Sequence, residues 1–225
     1  MSDGDRDIFD RALTSAQGEA APVRDMLECA LTMCGLEPSD LEYQQHLYPF
    51  DRAADAKQMA MAQSGCGLAT EEVWRAGSVA DSRLKMPYAT RVNLGGKSYA
   101  VALEKTIAIS AGAWDDQTSC VEMPVVLPGD AFIIGCKGCP GEWARQTGTF
   151  EHEFTVLLVE DDGTTIHSLD GGQPSVALRT RKMVYAEARH ELWLASMDAS
   201  VGPDGRPSKG RRAQGFSRAS ALPRY

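Results

Sequence analysis

Residues 152–170 constrain this chain more than any other stretch. The run E-F-T-V-L-L-V-E over 153–160 is rich in β-branched and aromatic residues and reads as a strand. Asp161-Asp162-Gly163 is a tight-turn signal, and T-T-I-H-S-L-D after it completes an antiparallel hairpin. A hairpin turning at Asp162 brings the start of one strand beside the end of the other. It therefore predicts that His152 meets Asp170, 18 residues further on. An imidazole held by a carboxylate keeps one tautomer and can act as a general base. His167 and Gln173 compete with Asp170 for that orienting role, and D-G-G-Q is also an ordinary turn.

Around this hairpin the pattern predicts an antiparallel meander. P-G-D-A-F-I-I-G starts a strand at Ala131, and a further strand follows near 176–181 or 182–188. The N-terminal half reads as helical. Pro22 opens a run with Val23, Met26, Leu27, Ala30, Leu31 and Cys34 on one face, and Gly35 stops it. Further helices are expected over about 51–61, from Cys66 to Gly77, and over 103–113. Helices first and antiparallel strands second predict an α+β fold.

Cys66 lies in S-G-C-G-L, a glycine-flanked turn that opens the third of these helices. The positive end of a helix dipole stabilises a thiolate, and free amides there can hold an oxyanion. Gly65 and Gly67 leave room for a substrate backbone. Gln63, Ser64, Gly67 and Gln173 are the candidate oxyanion donors or substrate contacts. A small buried cysteine accounts for Cys66 equally well when it is taken alone.

The net charge of −8 argues against generic nucleic-acid binding. That charge is uneven: residues 202–225 hold six basic residues and one acid among Gly, Ser and Pro. The expected organisation is a flexible segment over 1–20, one domain over 21–200 and a disordered basic tail over 201–225. The tail could touch an anionic polymer. No apolar stretch is long enough to span a bilayer, and the acidic N-terminus carries no secretory signal. A cytoplasmic location or a non-Sec release route follows as an expectation. Without such a signal the six cysteines are expected to be free thiols. Cys136 and Cys139 in C-K-G-C-P-G-E-W form half of a zinc site or a redox pair. The pair lacks a second half, Cys120 and His46 being unpatterned extras, so no metal or cofactor is expected.

Taken in order, S-G-C-G-L, L-P-G-D-A-F-I-I, E-H-E-F-T-V-L-L-V-E and T-I-H-S-L-D-G-G-Q resemble the NlpC-type and CHAP-type cell-wall hydrolases of the papain-like superfamily. The resemblance covers about residues 59–173. It implies helices packed on an antiparallel β-meander, with the nucleophile at a helix N-terminus. Position by position it implies Cys66 as nucleophile, His152 as base and Asp170 as the orienting residue. Glu151 and Glu153 flank the base, where many relatives have a small residue before it, and would raise the pKa of His152. The implied function is a cysteine peptidase or amidase cleaving an amide bond in peptidoglycan, as a phage lysin does. Two other readings stay open: a transferase or deamidase acting on protein or lipid, and a catalytically inactive binding module.

Overall fold

The structure is a computed structural model that describes residues 2–18, 21–36, 65–77, 109, 111–135, 152–171 and 175–221. Three α-helices lie among these residues: α1 (Asp3–Ser15), α2 (Ala21–Met33) and α3 (Gly65–Ala76). Seven strands follow: β1 (Trp114–Asp116), β2 (Ala131–Ile134), β3 (His152–Val159), β4 (Thr165–Asp170), β5 (Ala177–Ala186), β6 (Glu191–Ala195) and β7 (Gly210–Ser217).

Strands β2 to β6 form a meander in chain order, and β7 pairs with both β2 and β6. The sheet therefore closes into a six-stranded antiparallel barrel, with β1 outside the ring on β7. This corrects the expected fold. An open meander with helices stacked on it would leave β2 and β6 as edges, whereas here one strand pairs with both and removes them. The barrel, not a papain-like helix-on-meander layout, is the dominant unit.

The closing strand comes from the region expected to be a disordered tail. The segment G-R-R-A-Q-G-F-S turns Ala213 and Phe216 into the barrel, where Phe132 stacks on Phe154 and meets Phe216 in a tilted contact. Its cations are tied down: Arg206 and Arg212 pair with Glu191, Lys209 with Asp198, and Arg218 with Asp130. The expected flexible segment over 1–20 is corrected as well. Ser2 and Asp5 form a reciprocal capping box on α1, which buries Phe9 and Ala12.

Two apolar layers share β3. Phe154 and Val156 point into the barrel, and Leu157 points outward against α1, α2 and α3. That double burial is why residues 153–158 are buried throughout and Val156, Leu157 and Leu158 run consecutively rather than alternating with polar residues. The L-P-G-D turn docks α3 onto this strand. Gly129 takes a φ of 92°, open to glycine at little cost, and its carbonyl accepts from Trp74 Nε1 at 3.2 Å. The Asp130 carboxylate caps the same turn by accepting from the Leu127 amide. Most of the expected 103–113 helix and all of the expected 51–61 helix lie outside the described residues. No helix among the described residues is long and apolar enough to cross a membrane.

Candidate functional site

Because the strands alternate in direction, the ends of β2, β4 and β6 and the starts of β3, β5 and β7 open on one mouth of the barrel. His152 is the first residue of β3, paired with Ile134. Thr155 faces Leu169, so the register carries Asp170 opposite Phe154, diagonal to His152 on the same face. The side chains meet as the hairpin predicts: His152 Nε2 lies 2.6 Å from Asp170 Oδ2.

Asp170 is buried and heavily partnered. Arg181 grips both carboxylate oxygens, with Nη1 2.9 Å from Oδ1 and Nη2 on Oδ2. Ser168 Oγ donates to Oδ1 at 2.8 Å. Burial by itself pushes this carboxyl up; the Arg181 charge and the hydrogen bonds from His152 and Arg181 outweigh it and hold the pKa at about 2. An ionised carboxylate only accepts, so Nε2 carries the proton in this pair. Arg181 in turn lies flat over Phe154, 4.3 Å from the ring centroid.

Cys66 stands in the first turn of α3. Thr155 Oγ1 donates to Thr70 Oγ1 at 3.4 Å, and Trp74 reaches Gly129, whose amide bonds Val156. These contacts run in the same sense along helix and strand, so the N-terminal end of α3 is directed toward the His152 end of β3. Cys66 is one turn, about 6 Å, before Thr70. His152 is about 10 Å before Thr155 along the strand. The helix packs on the outer face of β3, however, while His152 shares the inward parity of Phe154 and Val156. Helix α3 and the dyad therefore sit on opposite faces of β3. Glu153 is buried on that outer face, so it does not flank the imidazole as its place in the sequence suggests.

The other expected residues divide cleanly. His167 does not orient His152: its Nδ1 meets Thr180 Oγ1 at 2.9 Å and its Nε2 meets Glu160 Oε1 at 2.6 Å. Gly67 is on the first turn of α3. Gln63, Ser64, Gln173, Cys136, Cys139, His46 and Glu151 lie outside the described residues. Cys29, Cys34 and Cys120 take part in no disulfide.

Sequence reasoning missed Arg181, Arg179 and their surroundings. The signal was present in R-T-R over 179–181: two cations two residues apart share a strand face, and that face continues into buried Met183. A cleft of about 890 Å³ opens at this mouth beside His152 and Arg181.

No protein-family model matches the chain, and neither a curated protein nor a solved structure is significantly similar to it. With the closed barrel, this overturns the resemblance to the NlpC-type and CHAP-type hydrolases. Short motifs in the same order arise here on a different architecture.

Proposed function

We propose that the chain is a thiol hydrolase that splits an amide bond, with Cys66 as nucleophile, His152 as base and acid, and Asp170 as the positioning carboxylate. The observation that carries the reading is the His152–Asp170 pair at 2.6 Å, fixed by Arg181 at the rim of an open cleft. In this reading Nδ1 of His152 takes the thiol proton as the sulfur attacks the carbonyl carbon. The imidazolium then protonates the departing amine, leaving a thioester. Water, deprotonated by the same nitrogen, hydrolyses the thioester and frees the thiol. The helix end at Cys66 favours the thiolate. Peptidoglycan stem peptides are the first substrate in this proposal, because free carboxylates flank their amide bonds and the cleft is rich in cations.

A second reading has its own support. Since α3 packs outside the barrel and the dyad faces inward, the mouth also suits a binding module with no covalent step. Two measurements separate the readings. The first is labelling of the full chain with iodoacetamide at neutral pH. Burial pushes the thiols of Cys34 and Cys120 up, so they serve as slow internal standards. The second is digestion of purified peptidoglycan by the wild type and by Cys66→Ala, with fragments read by mass spectrometry. The hydrolase reading expects fast labelling at Cys66 that slows in His152→Ala, and fragments from the wild type only. Labelling of Cys66 no faster than that of Cys34 would sink it in favour of the binding module.

A further inference from the structure

The chain carries a net charge of −8, yet among the described residues the cleft at the barrel mouth is lined by Arg179, Arg181, Lys209 and Arg211 against the single acid Asp198. We propose that this mouth is a recognition site for an oxyanion, a carboxylate or phosphate group carried by the substrate close to the bond that is cut. The proposal names the substrate class of the site described above, and for its chemistry it rests on the hydrolase reading.

The cations come from two strands on either side of β6. Arg179 and Arg181 stand on β5, Arg211 on β7 and Lys209 just before it. Two strand spacings, about 10 Å, separate the two sets, and long side chains from both sides can converge on one group between them. Two of the four are balanced where they stand. Arg181 is committed to Asp170, and Lys209 to Asp198. Among the described residues no carboxylate pairs with the Arg179 guanidinium, although it lines the cleft. The wall between the strands is apolar at Leu194 and Ala195, so charge is focused in a partly dry recess. A cleft of about 890 Å³ accommodates a small ligand rather than a bare ion alone.

The experiment is an amide-resolved NMR titration of the full chain with glutarate, inorganic phosphate and, as a cationic control, 1,5-diaminopentane. Shifts around 179–181 and 208–211 are expected with the two anions and not with the diamine. Binding should weaken steeply with salt. Arg179→Ala should weaken anion binding at least tenfold while its amide spectrum stays folded. The stronger of the two anions tells a carboxylate-bearing substrate from a phosphate-bearing one. Equal shifts with the diamine, or undiminished binding in Arg179→Ala, would overturn the proposal. Cys66→Ala keeps the failures apart, since it should bind the anions as the wild type does. Anion binding without any hydrolysis refutes the hydrolase reading alone. Hydrolysis that does not favour an anionic substrate over its neutral amide analogue refutes the oxyanion site alone.

Discussion

The hairpin of β3 and β4 carries two histidine–carboxylate pairs with the same separation and opposite settings. At the mouth, His152 meets Asp170 at 2.6 Å; toward the far end, His167 meets Glu160 at 2.6 Å. The Asp170 side chain is 9% exposed, with an arginine locked across it, whereas Glu160 is 26% exposed and ties α1 to the barrel through Arg11. Both nitrogens of His167 are consumed by Glu160 and Thr180. In His152, Nε2 meets the carboxylate and the ring borders the cleft. The bond length is thus uninformative. Whether such a pair is a fastener or a candidate base depends on where the ring opens.

The largest expected difference between the pairs is energetic. Asp170→Ala leaves the Arg181 guanidinium, 16% exposed, without its counter-charge, and should cost about 3–5 kcal/mol. Glu160→Ala removes a partly exposed anion and should cost under about 1 kcal/mol. Urea denaturation of both variants checks this, and equal losses would abolish the contrast. The second difference is chemical. His152→Ala should slow Cys66 alkylation and any amide hydrolysis by about 10²–10⁴-fold. His167→Ala should leave both rates within about twofold, since it only unfastens Thr180 and Glu160.

The hairpin and its His152–Asp170 pair were legible because they are local. A turn signal at 161–163 fixes which ends meet, and one apolar run fixes the strand. Helices α2 and α3 were legible from their apolar faces and their glycine stops at Gly35 and Gly77. Barrel closure was not. Strand β7 holds two arginines, a glutamine and two glycines, and its partner Ile134 pairs with Ala213 from far away in sequence. Nothing local distinguishes such a strand from a solvated tail, since Arg212 in it and the flanking Arg206, Lys209 and Arg218 meet Glu191, Asp198 and Asp130 only once the barrel exists. The placement of α3 relative to His152 was hidden for a related reason. Strand parity is readable in sequence, but which face receives the helix is decided by Thr70 and Trp74 meeting Thr155 and Gly129.

The two ends also differ in the sign of their pH dependence. Asp170 is held at about 2, below its ordinary value, so its stabilisation is complete above about pH 4 and fades as pH falls toward 2. Asp130 at the far end is raised to about 6, because burial outweighs its bonds from Leu127, Arg218 and Ala219. The fold then prefers the protonated acid, and a cost of roughly 2–3 kcal/mol builds up as pH rises from about 4 through 6. Acidifying from pH 7 to 5 should therefore raise the melting temperature of the wild type. The rise should shrink in Asp130→Asn, which keeps an acceptor and loses the titration. A wild-type melting temperature that falls over that window, with Asp130→Asn unchanged from it, would remove Asp130 from the account.

The smallest effect is the sharpest test of the mouth as a charged recess. Lys209 and Asp198 form an ion pair with both side chains more than half exposed, so Asp198→Ala should change stability by under about 0.5 kcal/mol. The same substitution removes the only acid that lines the cleft among the described residues. If the recess binds oxyanions through its surplus of positive charge, the variant should hold glutarate or phosphate a few-fold more tightly. That gain should vanish at high salt, because the exposed charges are screened over about 10 Å at 0.1 M. The far end offers the matching control. Asp161→Ala deletes an exposed acid at its rim and should leave anion affinity unchanged. An equal gain in both variants would mean that overall net charge, not the arginines at the mouth, governs binding. A gain confined to Asp198→Ala ties recognition to the mouth where His152 opens.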